Sequence, residues 1–139
     1  MRGYAETEIF VQEELELFAD ATRMVALLGE RLSLADQAKV RCHELARAVG
    51  RVLELPVQDG KYGGAQHSWL VTAQRPDRSH ILDVYVVGRL PMVQLVDTWF
   101  MLPESRLYRP MTLEQLDLRP PVIEENVDRL AAICREALL

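Results

Sequence analysis

The hydrophobic period of this chain changes near Pro56 and changes again near Val122, and that order limits the folds available to it. Upstream, Phe10, Leu17, Phe18, Ala21, Met24, Val25 and Leu28 fall at helical spacings, which predicts an amphipathic helix from about Thr7 to Leu28 with Gly29 as its stop. A second helix is expected from an N-cap at Ser33, with Asp36 three residues on, through Val40, Leu45, Val49 and Val52 to a break at Pro56, with Gly50 as a point of shortening. That span places Cys42 well inside the helix. Beyond Pro56, "VQDGKYGGAQ" is rich in turn formers, and the runs after it are short, β-branched and aromatic. They predict strands near Val57, at 67–72 and at 80–87, with a fourth in "MVQLVDTWF" (92–100). Proline-bearing loops then lead to a terminal helix, 122–138, whose Ile123, Val127, Leu130, Ile133, Cys134 and Leu138 form one apolar stripe. Helix, helix, strands, helix, without regular strand-helix alternation, indicates an α+β fold: an antiparallel sheet of three to four strands packed with helices from both ends of the chain.

Length and composition set the remaining bounds. A chain of 139 residues, 49% hydrophobic and 27% charged, suits a single domain, 1–139, with one core. The start, "MRGYAETEIF", has no basic region followed by an apolar run, and no stretch approaches the ~20 apolar residues of a membrane span. A soluble, cytoplasmic protein without membrane association is expected. The net charge of −5 is mild and the charges are interspersed, with Lys39 and Lys61 the only lysines, so no basic stripe suits nucleic acid. Cys42 and Cys134 are too few for a disulfide framework or an all-cysteine zinc site, which fits a reducing compartment and leaves a single bridge open.

The stretch "AQHSWLVTAQRPDRSHILDVYVVG" (65–88) carries the candidate chemistry. In a strand His67, Trp69 and Val71 share one face, and by the same parity so do Ile81, Asp83 and Tyr85. The "AQRPDRS" between the runs suits a hairpin loop. A register pairing Leu70 with His80 and Trp69 with Ile81 sets His67 opposite Asp83, within reach of an imidazole-carboxylate hydrogen bond. Such a bond fixes the tautomer of His67 and leaves its other nitrogen free as a general base. The nucleophile the pair calls for is Cys42, in "KVRCHELARAVG", because a thiolate beside an imidazolium has a lowered pKa.

These residues resemble the papain-like superfamily and, within it, the transglutaminase-like cysteine proteins. The resemblance lies in Cys42 with Ala46 one turn later, the run His67-Ser68-Trp69, and Asp83 in "HILDVY", and it covers residues 42–88, about a third of the chain. It implies a papain-like core, Cys42 as nucleophile, His67 as base and then acid, Asp83 as its orienter, and the Cys42 backbone N–H as a contributor to an oxyanion hole. The chemistry it implies is acyl transfer or amide hydrolysis, without a cofactor, on a peptide or small-molecule amide.

Other readings of the same residues stay open. Cys42 suits a helix core, His67 a strand end, and Asp83 a set of loop N–H groups, although an acid among Ile81, Leu82, Val84 and Val86 needs some partner. A metal held by His67, Asp83 and either His80 or Cys42 is a further option, but no H-E-x-x-H or C-x-x-C spacing is present. Cys134 reads as core, His43 as exposed, and Trp69, Tyr85 and Trp99 as core or groove residues. "DGKYGG" lacks the order of a phosphate loop and reads as a turn beside the site. A non-catalytic papain-like binding module is the alternative function, and the amphipathic terminal helices suit a homodimer as well as an internal core.

Overall fold

A computed structural model describes residues 10–75, 78–85, 92–97, 107–112 and 120–139. Helix α1 (Gln12–Arg31) begins where the Glu14 carboxylate accepts the backbone N–H of Val11 at 3.2 Å, and it runs past Gly29 rather than ending there. No left-handed residue closes it. Gln37 Nε2 instead donates to the carbonyls of Gly29 and Leu32, both at 3.0 Å.

The single helix expected from Ser33 is two. Ser33 caps α2 (Leu34–Gln37) by accepting the N–H of Asp36, and α3 (Cys42–Leu53) starts afresh after extended Arg41. No glycine or proline forces the break; a tertiary contact accompanies it. The carbonyl of Val40, which a continuous helix would pair with the N–H of Glu44, receives the hydroxyl of Tyr85 at 3.1 Å, and Glu44 N–H bonds Arg41 O instead. Gly50 does not shorten α3, which ends at left-handed Glu54. The glycine serves close approach: a Cβ there would lie 2.8 Å from Leu70 Cδ2. The last helix, α4 (Glu124–Glu136), is capped by the buried Glu44 carboxylate, which accepts from the backbone N–H of Ile123 at 2.8 Å and from Asn126 Nδ2 at 3.2 Å.

Among the described residues the strands number five: β1 (Val57–Tyr62), β2 (Ala65–Arg75), β3 (Arg78–Asp83), β4 (Gln94–Asp97) and β5 (Tyr108–Pro110). All pairings are antiparallel, in the order β4-β3-β2-β1-β5. The α+β class stands, with one strand more than expected: β5 is three residues long and sits in a proline-bearing stretch that reads as loop. "DGKYGG" also differs, since Asp59–Tyr62 belong to β1 and the turn is confined to Gly63 and Gly64. The hairpin loop expected at 73–79 is shorter, since 73–75 belong to β2 and 78–79 to β3. The helix start expected at Thr7, positions 76–77 of that loop, the strand ends expected at 86–87 and 98–100, and Trp99 lie outside the described residues.

Leu70, Leu82 and Val84 point from the sheet into a core shared with α1, α3 and α4, where Cys134 is fully buried as expected. On the other face Trp69, Ile81, Val96 and Tyr108 form a second cluster. The edge strand β5 lies three strand spacings from β3, about 14 Å in a flat sheet, yet the Tyr108 hydroxyl donates to Asp83 at 2.7 Å. The sheet therefore curls around Trp69. Gly60 permits the curl, because a Cβ there would sit 2.2 Å from the Arg109 carbonyl oxygen and 2.7 Å from the Trp69 ring. No described helix is long and apolar enough to cross a membrane.

Candidate active site

The register of the central hairpin differs from expectation by two residues. Leu70 pairs with Leu82 and Val71 with Ile81, and a bulge follows between Val71 and Ala73. Continued along the strands, this pairing places Asp83 across from Trp69 and makes His67 its diagonal neighbour. A shift of two preserves the face of every side chain, where a shift of one would invert it. The expected bond therefore survives: His67 Nε2 lies 2.8 Å from Asp83 Oδ2. His80, two residues before Leu82, faces the helices instead and bonds Glu14.

Asp83 is fully buried, and all its described partners are donors. Oδ2 accepts from His67 and from the Tyr108 hydroxyl, and Oδ1 accepts the backbone N–H of Tyr85 at 3.1 Å. Burial and then the charge of Asp83 push the Tyr108 hydroxyl far above its ordinary pKa, so it stays a donor. With Nε2 occupied, Nδ1 is the ring nitrogen of His67 left for the thiol. Burial alone would depress His67, but the hydrogen bond and charge of Asp83 and those of Cys42 outweigh it, raising the imidazole from 6.5 to about 9. Tyr62, its ring centroid 5.7 Å from that of His67, adds an aromatic face near the cation.

Cys42 is the first residue of α3, not an interior one, and its side chain is half-buried. Arg41 holds the cap position in extended conformation, so the Cys42 N–H belongs to the first turn, where helix N–H groups lack intrahelical partners and the dipole favours negative charge. Burial raises the thiol pKa, yet hydrogen bonds from His43 and His67, with their charges, lower it from 9.0 to about 6. Cys134, in the helical core, is pushed up to about 12 by burial. The two cysteines thus differ by chemistry as well as position.

His67 and Asp83 pair as expected, and Cys42 lies near enough to His67 for each to shift the pKa of the other. His43 does not behave as expected: it is 6% exposed rather than solvated, with Nδ1 2.7 Å from Ser68 Oγ and 3.6 Å from Cys42 Sγ. A single apolar stripe misplaces His43 because α3 is covered on more than one side, which buries His43 and Glu44 along with Leu45 and Ala46. Tyr108 was also beyond reach of pattern reasoning, since only the curl of the sheet brings β5 to Asp83. Compared with protein-family models, curated proteins and solved structures, the chain matches none of them.

Proposed function

We propose that the protein is a cysteine-dependent acyl-transfer enzyme with a papain-like, transglutaminase-like core, acting on a peptide or small-molecule amide. The observation that carries this reading is a half-buried thiol on the first residue of a helix, its pKa lowered by His43 and His67, with His67 Nε2 held 2.8 Å from a buried carboxylate. At neutral pH the directions of the two shifts favour a thiolate-imidazolium pair. The Cys42 thiolate attacks the substrate carbonyl carbon, and the oxyanion that forms meets the Cys42 N–H and the positive end of α3. His67 Nδ1–H gives its proton to the leaving amine as the carbon-nitrogen bond breaks, leaving a thioester on Cys42. Nδ1 then takes a proton from water, or from an acceptor amine, as either attacks the thioester and frees the thiol. Asp83 keeps Nε2 protonated throughout, so only Nδ1 exchanges protons.

A papain-like module that binds without chemistry is the competing reading, motivated by a thiol placed deep in a helix and by amphipathic terminal helices open to a partner. The break at 38–41 takes the first argument away, and Met24, Val25 and Leu28 of α1 and Val127, Leu130 and Cys134 of α4 are buried in the internal core. The deciding experiment is turnover of a panel of aryl esters and aryl amides, with intact-mass detection of the acyl-enzyme. Acylation at Cys42 and turnover that Cys42→Ala abolishes and Cys134→Ala preserves is the expected result. Turnover retained in Cys42→Ala, or acylation of Cys42 no faster than that of a free thiol, refutes the reading.

A further inference from the structure

Cys42 meets two imidazoles, and the second is fixed in its role by a chain of hydrogen bonds behind it. Burial opposes the ionisation of Asp59, but Arg47 and Ser68 hold its pKa below the ordinary carboxylate value, so both its oxygens accept and neither donates. Oδ2 accepts from Arg47 at 2.7 Å, and Oδ1 accepts the Ser68 hydroxyl at 2.6 Å. Ser68 has one proton, and that bond uses it. Its oxygen is left as an acceptor towards His43 Nδ1, 2.7 Å away, and two lone pairs facing each other at that distance would repel. His43 Nδ1 therefore carries a proton. The same Arg47 donates to the His43 backbone carbonyl at 2.9 Å, tying the chain to the first turn of α3.

From this geometry we infer that His43 is a positioning residue, a fixed Nδ1–H donor shared between Ser68 Oγ and Cys42 Sγ that holds the sulfur as a thiolate facing His67. The inference rests on Cys42 being the nucleophile of the proposed reaction. It divides the work between the imidazoles. His67, backed by a carboxylate at Nε2 and free at Nδ1, moves protons. His43, whose Nδ1 proton is committed, moves none and stabilises charge. The described groups around the thiol agree with this division: His43 from α3, His67 from β2, and Tyr85 after β3, whose hydroxyl is bonded to Val40 O and kept neutral by burial and by the Cys42 charge. Asp59 and Asp83 stand behind the two imidazoles.

The test is Asp59→Asn, which keeps the shape of the side chain and reverses the chain behind it. Arg47 claims the amide oxygen, the amide NH2 donates to Ser68 Oγ, the Ser68 hydroxyl turns to donate to His43, and the His43 proton moves to Nε2. The readouts are the pH midpoint of Cys42 alkylation in the native protein, by peptide mass spectrometry, and the tautomer of His43 by nitrogen-15 NMR. The expected result is an Nδ1–H tautomer in the wild type, an Nε2–H tautomer in the variant, and a rise of about one unit in the midpoint, a loss of about tenfold in thiolate on its acid side. His43→Ala, which removes the donor outright, raises the midpoint at least as far. An unprotonated His43 Nδ1 in the wild type, or a midpoint unmoved in both variants, overturns the inference. Neither readout requires a substrate, so the two proposals fail separately: turnover with an unmoved midpoint removes only the role of His43, and a moved midpoint without turnover removes only the acyl-transfer reading.

Discussion

Replacing Gly60 by alanine tests whether the curl of the sheet, and through it the orientation of Asp83, depends on a missing side chain. The new Cβ would lie 2.2 Å from the Arg109 carbonyl oxygen and 2.7 Å from the Trp69 ring. The first neighbour is backbone, held by the pairing of Gly60 with Pro110 and Lys61 with Arg109, so relief comes from moving β5 outward. Overpacking of this kind costs about 1–3 kcal/mol. The displacement also stretches the 2.7 Å bond from Tyr108 to Asp83, and hydrogen bonds to charged groups contribute about 1.5–3 kcal/mol. Since the costs overlap, the expected loss is about 3 kcal/mol, or about 10 °C in Tm for a chain of this size. Urea unfolding followed by far-ultraviolet circular dichroism measures it. Gly29→Ala is the internal control: its Cβ meets nothing within 4 Å inside α1, so helix propensity predicts a gain of about 0.5–1 kcal/mol. A Gly60→Ala protein within about 0.5 kcal/mol of wild type, a change typical of neutral surface substitutions, refutes the argument.

Further tests address charge. The rate of acylation should be bell-shaped in pH, rising as the thiolate forms through about 6 and falling as the imidazolium is lost through about 9, with both values belonging to the coupled pair; a single limb near 9 in stopped-flow measurements contradicts it. In native protein at pH 7, alkylation should label Cys42 and leave Cys134, whose thiol is buried and pushed up to about 12, unmodified until unfolding; peptide mapping decides. Glu14→Gln should destabilise the fold by about 2 kcal/mol, since the carboxylate accepts from Val11, Thr72 and, at 2.5 Å, His80, and an amide has one acceptor oxygen for them. Burial raises the pKa of Glu14, but the bonds from Thr72, His80 and Val11 outweigh it and hold it below 4.5. Its stabilisation is therefore present above 4.5 and lost as pH falls through the lower folded value, and the acid limb of stability should flatten in the variant. An unchanged acid limb in urea titrations at pH 3–5 counts against this role.

What the sequence determined by itself is what local pattern encodes. The helical stripes, the change of period at Pro56 and the alternation along 67–72 and 80–83 gave the α+β class, the buried Cys134 and the shared face of His67 and Asp83, because side-chain direction in a strand depends on parity alone. Parity also explains why a register wrong by two residues still joined the right pair. The tertiary structure decided everything that depends on a distant partner. The hydroxyl of Tyr85, 45 residues away, takes the carbonyl of Val40 where α2 and α3 part and Cys42 becomes a first residue. With β2 packed against α3, Ser68 meets His43, and with the sheet curled past Gly60, Tyr108 reaches Asp83. A backbone hydrogen bond satisfied from across the fold leaves no trace in the composition of the segment it interrupts, which is why the helix break was invisible from residues 34–41.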